Sequence, residues 1–154
     1  MTKEKCLRLR IIRPVFEDVV ISEEAEKYLN GKSINNSQDI YELFNYLSRE
    51  TKEHFIAVHL DTKNKIICVD TISTGSLADS IVHPREVFKS VLLSSAAAII
   101  VIHNHPSGTP EPSNDDIRIS KRLKEAGELL GIQVLDHIII GNGCYTSLIE
   151  KGYL

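Results

Sequence analysis

The feature that most constrains the fold of this chain is a run of seven apolar residues, Ala96–Ile102 (AAAIIVI). A helix that crosses a bilayer needs roughly 20 residues, so this run is far too short to span a membrane. A short run that is apolar at every position is typical of a strand buried on both faces. The segment IQVLDHIII at residues 132–140 has the same character. Because helical patterns alternate with these strands, the sequence predicts an α/β or α+β layered domain.

The other elements follow from hydrophobic spacing and from capping residues. An apolar stripe with helical spacing predicts a helix capped by Ser37, and its members are Ile40, Leu43, Phe44 and Leu47. Further helices are predicted over HPREVFKSVLL and over Asn114 to about Leu130. The remaining strands are predicted over FIAVHL, KIICVDTI and CYTSLI. A chain of 154 residues is long enough to bury one sizeable core with these elements.

The first part of the chain carries a weaker pattern. CLRLRII alternates apolar and basic residues, as a half-exposed strand does, and a short helix is predicted between Ser22 and Leu29. A boundary near residues 30–37 divides the sequence into an N-terminal extension over residues 1–36, packed on the core, and a main domain over residues 37–154. CLRLRII would pair either within the sheet or with a second copy, which leaves a homodimer open.

Charge and cysteine content limit the classes of partner and compartment. The net charge is -3, which gives no bulk attraction to nucleic acid or to an anionic membrane. The three cysteines are far apart and show no C-x-x-C spacing, so they suggest neither a disulfide framework nor a thiolate zinc site. The first residues, MTKEKCLRLR, lack the apolar segment of a signal peptide. We therefore expect a cytoplasmic protein with reduced thiols and no membrane association.

The apolar run leads directly into HNHPSGTPEPSNDD, residues 103–116. Side chains alternate along a strand, so His103 and His105 project to the same side while Asn104 points away. The Pro- and Gly-rich segment ends the strand, and Ser113 is a natural cap for the helix that follows. Asp116 lies three positions later, where it can turn toward the histidines. Two imidazoles and one carboxylate suit zinc, with the fourth position left to water.

A simpler interpretation of the helix start stands beside this one. S-x-x-D before an apolar helix is nearly a capping box, so Ser113 and Asp116 could merely satisfy unpaired backbone N–H groups. Capping alone does not explain why two histidines lie at the end of an apolar strand. His137 is either a core histidine with satisfied hydrogen bonds or a second-shell donor near the same site.

HNHPSGTPEPSNDD resembles the zinc motif of the JAMM, or MPN-plus, metallopeptidases, and is similar to their bacterial RadC-like branch. The segments KEHFIAVHLDTKNKII, VHPREVFKSVLLSSAAAIIVIHNHPSG, LDHIIIG and KGYL resemble that branch as well. The resemblance covers roughly residues 37–154. It implies a JAB/MPN-type three-layer α-β-α sandwich with a mixed sheet, related to cytidine deaminase-like folds, with zinc at one end of the sheet.

The resemblance also implies individual roles. His103, His105 and Asp116 match the zinc ligands of the family. Glu53 matches the glutamate that acts as general acid and base, and Ser113 matches the serine that stabilises the reacting oxyanion. The spacing of residues alone does not distinguish Glu53 from Glu42 and Glu50. The implied activity is zinc-dependent hydrolysis of an amide or isopeptide bond in a protein or peptide substrate.

Two departures from the family pattern affect this prediction. The first ~35 residues show no helix-hairpin-helix glycine pattern, so the chain resembles a short RadC-like form without that DNA-binding region. Asn104 stands where eukaryotic deubiquitinating relatives carry Ser or Thr, so their specificity does not transfer.

Three other functions remain to be weighed. A DNA-repair or mobile-element accessory protein is the main alternative, although the negative charge does not favour autonomous DNA binding. An interaction domain that keeps zinc only for stability would have no need of Glu53. A zinc deaminase would need H-x-E and P-C-x-x-C, and neither occurs.

Overall fold

The computed structural model describes residues 10–18, 31–75 and 82–154. Within them, three α-helices and one 3-10 helix accompany five strands of a single sheet. The helices are α1 (Ser37–Phe44), the 3-10 helix Asn45–Arg49, α2 (Pro84–Leu93) and α3 (Asn114–Leu130). The strands are β1 (Glu53–Leu60), β2 (Ile66–Gly75), β3 (Ala98–Asn104), β4 (Gln133–Ile140) and β5 (Tyr145–Ser147).

The sheet is mixed, and the strand that contains the apolar run lies at its centre. The strand order is β2-β1-β3-β4-β5. β3 pairs antiparallel with β1, where Phe55 lies opposite His103, and parallel with β4, where Val101 lies opposite His137. Every residue of β3 is buried. The histidines therefore leave the sheet at the end of its most enclosed strand.

Helices cover both faces of the sheet. Alternate strand residues such as Ile56, Ile100 and Ile138 form one core with α1 and the 3-10 helix. The opposite face, which includes Phe55, packs against α2 and α3 in a second core. This arrangement confirms the predicted three-layer α-β-α sandwich with a mixed sheet.

The start of α1 differs from the prediction in its capping residue. The N-cap is Asn36, whose side-chain oxygen accepts a hydrogen bond from the backbone N–H of Asp39, and Ser37 is the first helical residue. The predicted apolar stripe is buried, although its last member, Leu47, lies in the 3-10 helix. The apolar stripe therefore identified the buried face correctly. Which of the adjacent polar residues Asn36 and Ser37 caps the helix depended on backbone geometry.

Only part of the predicted N-terminal extension can be compared with the structure. Residues 10–18 are exposed, whereas most of CLRLRII and the predicted Ser22–Leu29 helix lie outside the described residues. Ile34 belongs to the core beneath α1, and Ser33 forms an isolated bridge with Lys65. Packing of the extension on the core and the boundary at residue 37 stay predictions. Among the described residues, no helix is both long enough and apolar enough to cross a membrane.

One buried histidine gives the fold a testable pH dependence. His59 lies beneath α2, where Nδ1 is 2.8 Å from the Ser94 hydroxyl and 3.2 Å from the Cys68 sulfur, and Nε2 is 3.5 Å from the Ser90 hydroxyl. Burial lowers the pKa of His59, and the charge of nearby Asp70 only partly opposes this. The folded protein therefore favours the neutral ring.

We expect this preference to destabilise the protein in acid. Because the folded-state pKa lies below the unfolded value of about 6.5, the contribution of His59 is complete above that pH and is lost as pH falls below it. One such group changes the free energy of unfolding by at most about 1.4 kcal/mol per pH unit. Urea unfolding of wild type and His59→Gln between pH 5 and 8, with chelator present, measures this slope. A variant with an unchanged slope would contradict the assignment.

Candidate metal centre

Two histidines from the end of β3 and one aspartate from the first turn of α3 meet at one point. His103 and His105 lie two positions apart, so both rings project toward the face that α3 covers. The Nε2 atoms of the two rings are 2.9 Å apart. Asp116 Oδ1 is 3.2 Å from His103 Nε2, and Asp116 Oδ2 is 3.5 Å from His105 Nε2. The structure therefore brings together all three predicted metal ligands, as the one such cluster among the described residues.

These separations fit a small tetrahedral ion. Zinc bonds of ~2.0–2.1 Å in tetrahedral geometry place neighbouring ligand atoms roughly 3.3 Å apart. The 2.9 Å between the two Nε2 atoms and the 3.2 Å between His103 Nε2 and Asp116 Oδ1 lie within about 0.4 Å of that value, whereas the 3.5 Å separation from His105 Nε2 is to the other carboxylate oxygen, Oδ2. Two imidazole nitrogens and one carboxylate oxygen are also ligand types that zinc accepts, and three protein ligands leave a fourth position open. The residues present fit a zinc ion.

Asp116 serves the helix and the cluster at the same time. Its Oδ2 accepts hydrogen bonds from the backbone N–H and the hydroxyl of Ser113, both at 2.7 Å, and its own N–H donates to the Ser113 hydroxyl oxygen. This is a complete capping box. Burial opposes ionisation of Asp116, but hydrogen bonds from the His103 and His105 rings in their protonated form outweigh it and hold the carboxyl pKa well below its usual range. Capping and metal binding are therefore compatible roles of one carboxylate.

The loop after β3 fixes the orientation of His105. Its Nδ1 donates a hydrogen bond to the Thr109 carbonyl at 2.8 Å, and its backbone N–H donates to the Ile140 carbonyl at 2.9 Å. The neutral ring therefore carries its proton on Nδ1 and presents an Nε2 lone pair to the cluster. The loop is itself held by a hydrogen bond of 2.8 Å from the Asn142 N–H to the Gly108 carbonyl.

Glu53 lies on the open side of the cluster. It is the first residue of β1, and its negative charge is close enough to His105 to contribute, after the larger effect of the Asp116 hydrogen bond, to a raised pKa of that imidazole. An open groove of about 590 Å³ runs beside both residues. Its walls are Thr51, Lys52, Gly75, Pro106 and Ser107. By contrast, His103 is fully buried, so a substrate would approach from the side of Glu53 and His105.

Asn104 holds the segment that carries Glu53. As predicted, it points away from the two histidines, and its fully buried side chain reaches the start of β1. The side-chain oxygen of Asn104, Oδ1, accepts from the His54 N–H at 2.8 Å, and the side-chain nitrogen Nδ2 donates to the Lys52 carbonyl at 3.0 Å. These two bonds bracket Glu53 on the chain. The central residue of H-x-H thus links the strand end that carries the candidate metal ligands to the segment that carries Glu53.

We expect Asn104→Leu to lower the free energy of unfolding by about 1–3 kcal/mol, because leucine has a similar size but leaves both backbone groups without their partner. Asn45→Leu is the matched control, since the exposed Asn45 amide makes a single hydrogen bond to the Glu42 carbonyl. The control should stay within about 0.5 kcal/mol of wild type. Urea unfolding measures both variants, and equal stability of the two would contradict the role of Asn104.

The sequence profile of a known family, described as the RadC-like JAB domain, matches residues 34–153. The chain belongs to the RadC-like JAB domain family. The match agrees with the resemblance that the histidine motif indicated, and it begins at the core residue Ile34.

Curated relatives in this family carry the name UPF0758 protein. One from Caldanaerobacter subterraneus is 48% identical over 153 residues, which cover 97% of this chain and 63% of that relative. One from Methanococcoides burtonii is 54% identical over 124 residues, or 80% of this chain and 54% of that relative. One from Bacillus licheniformis is 59% identical over 104 residues, or 68% of this chain and 46% of that relative. The chain thus spans about half to two thirds of the length of these relatives.

Two roles that the RadC-like family implies are not tested by the geometry alone. Glu53 faces the groove, but its action as acid and base stays a prediction. The Ser113 hydroxyl already donates its proton to Asp116, which makes it a positioning group for that carboxylate. Its action on an oxyanion also stays a prediction.

Beneath the candidate metal ligands of this RadC-like domain lies a buried set of hydrogen-bonded side chains. His103 Nδ1 is 2.7 Å from His137 Nε2, and His137 Nδ1 contacts the Ser120 hydroxyl. Phe55 covers both rings, with centroid distances of 6.1 Å to His103 and 5.5 Å to His137. Burial, followed by the charge of His103, holds the pKa of His137 well below its usual range. Ser120 was missed by the sequence reasoning, although it is a polar residue one helical turn after Asp116 on the buried stripe of α3.

Proposed function

We propose that this domain is a zinc-dependent hydrolase that cleaves an amide or isopeptide bond in a protein or peptide substrate. The observation that carries the proposal is the His103, His105 and Asp116 cluster with Glu53 on its open side. A structural zinc site is closed by four protein ligands, whereas a catalytic site keeps one position for water or substrate. Three protein ligands beside a groove support the catalytic kind.

The chain supplies binding, orientation and proton transfer. When bound, Zn²⁺ would supply Lewis-acid chemistry and lower the pKa of water toward 7. Glu53 would accept a proton from the attacking water and return it to the departing amine, which is general acid–base catalysis. Asn104 holds Glu53 at the groove, and Ser113 holds Asp116 in the orientation that meets the histidines.

The groove supports a peptide-like substrate. One wall is the start of β1 and the end of β2, and the other is the loop His105–Ser107. Both walls therefore come from extended or turning backbone segments at one end of the strands. An extended peptide or an isopeptide-linked lysine would place its carbonyl carbon between Glu53 and His105, where the reacting groups converge.

The experiment that tests this function is a cleavage screen with matched metal states. Protein purified without chelator is analysed for bound metal, then incubated as zinc-loaded and chelator-treated samples with a proteome-derived peptide library and a set of lysine isopeptides. We expect close to one zinc per chain and new amino termini or released lysine only in the loaded sample. Cleavage that persists after complete zinc removal would contradict the proposal, as would a purified chain that fails to bind zinc.

A further inference from the structure

We infer that His137 and Ser120 are positioning residues that fix the tautomer of His103, so that its Nε2 lone pair always faces the metal position. The inference rests on the proposed metal centre, whose ligand set it deepens by explaining how one ligand is kept ready. A neutral imidazole carries its proton on either ring nitrogen, and only the unprotonated nitrogen can bind a metal ion. Which one is free is decided by the hydrogen bond that the other nitrogen makes.

The hydrogen-bonded series from the Asp116 carbonyl through Ser120 and His137 to His103 is called the relay. The direction of its hydrogen bonds is set at the Asp116 backbone carbonyl. The Ser120 hydroxyl lies 2.5 Å from the Asp116 carbonyl oxygen and also contacts His137 Nδ1. A carbonyl oxygen only accepts, and a hydroxyl has a single proton, so Ser120 donates to Asp116. The contact between the Ser120 hydroxyl oxygen and His137 must then be a hydrogen bond that His137 Nδ1–H donates.

The same count of protons determines which nitrogen of His103 is free to bind metal. His137 is fully buried, and in the neutral form of its ring a proton on Nδ1 leaves Nε2 as an acceptor. His103 Nδ1, at 2.7 Å, must therefore donate to it, and in the neutral ring that metal binding requires this leaves Nε2 without a proton. His105 reaches the same state by a different route, through the Thr109 carbonyl. Both Nε2 lone pairs thus converge with the Asp116 carboxylate, and a cation is the group that such a set accepts.

The relay also ties the ligands to one another. Asp116 contributes its carboxylate to the cluster and its main-chain carbonyl to the Ser120 hydroxyl. The first turn of α3 therefore delivers one ligand directly and orients a second through β4. A reversed relay would place a proton on His103 Nε2, where it would point at the cluster and exclude a metal ion from that nitrogen.

The direct test is the protonation pattern of the histidine rings in the 154-residue chain. Nitrogen-15 NMR of histidine side chains distinguishes protonated from bare ring nitrogens. We expect His137 to carry its proton on Nδ1, with Nε2 bare, in both the zinc-free and the zinc-loaded protein. A His137 proton found on Nε2 would overturn the inference.

Zinc affinity, measured by competition with a chromophoric chelator, gives the second readout. We expect Ser120→Ala to weaken zinc binding about 10-fold and His137→Leu about 100-fold, the range for loss of a group that orients a ligand. His137→Gln should recover most of the loss, because its side-chain oxygen can accept from His103 Nδ1. Ser94→Ala is the matched control, since it removes a hydroxyl 2.8 Å from a different buried histidine, His59, and should leave zinc affinity unchanged.

The outcomes separate this inference from the proposed function. Wild-type zinc affinity in both Ser120→Ala and His137→Leu would overturn the relay even if the domain is an active hydrolase. If His137→Leu does not fold, Ser120→Ala and the wild-type NMR pattern decide the matter. A wild-type chain that binds no zinc would refute the proposed function, while the tautomer of His137 would still confirm or overturn the relay.

Discussion

Asp116→Asn is expected to lower zinc affinity by more than about 100-fold while leaving the stability of the zinc-free protein close to wild type. Loss of a residue that merely orients a ligand costs about 10–100-fold, so loss of an anionic ligand should cost more. The asparagine oxygen can still accept the hydrogen bonds from Ser113, and its amide can donate toward the His103 Nε2 lone pair. Chelator competition measures the affinity, and urea unfolding with chelator present measures the stability.

Two companion variants separate the roles of this carboxylate. Asp116→Ala removes the carboxylate half of the capping box as well as the ligand and should cost a further ~0.5–2 kcal/mol in zinc-free stability. Asp115→Asn is the matched control, because Asp115 is exposed and pairs with Arg118 on the surface. It should bind zinc like wild type. If Asp116→Asn bound zinc normally, the carboxylate would be a cap alone and the metal centre would lose its anionic ligand.

The cluster of candidate metal ligands was predictable because the placement of each residue depends on local rules. Alternation along a strand placed His103 and His105 on one side, and a capping position three residues after Ser113 placed Asp116 at the helix start. The sequence left capping and metal binding as alternatives. The structure shows that one carboxylate oxygen serves the cap while both oxygens face the histidines.

The groups that support the ligands were less accessible to sequence reasoning, since they depend on which strands become neighbours. Asn104 meets Lys52 and His54 only because β1 pairs with β3, about 50 residues away along the chain. His137 meets His103 only because β4 lies parallel to β3. Local periodicity predicts toward which face of the sheet a side chain points, but not which residue it meets on the neighbouring strand. Likewise, the family resemblance was needed to choose Glu53.

Glu53→Gln should keep zinc affinity within a few-fold of wild type and lower hydrolysis by about 10²–10⁴-fold, the usual contribution of a general acid or base. Glutamine has nearly the same shape as glutamate, so it should preserve the start of β1 and its hydrogen bonds to Asn104. It cannot take up a proton from water at neutral pH. The variant is compared with wild type, both zinc-loaded, on a substrate identified by the cleavage screen.

The matched control for this experiment is Glu50→Gln, which changes an exposed glutamate three residues earlier whose carboxylate lies 3.4 Å from His54 Nε2. It removes the same charge near the groove without removing the proposed acid and base, so turnover should remain close to wild type. If both variants lost activity equally, turnover would depend on the overall negative charge beside the groove rather than on proton transfer by Glu53. If Glu53→Gln lost its zinc, Glu53 would act in metal binding. Full turnover in Glu53→Gln would leave the site without an acid and base and would refute the mechanism.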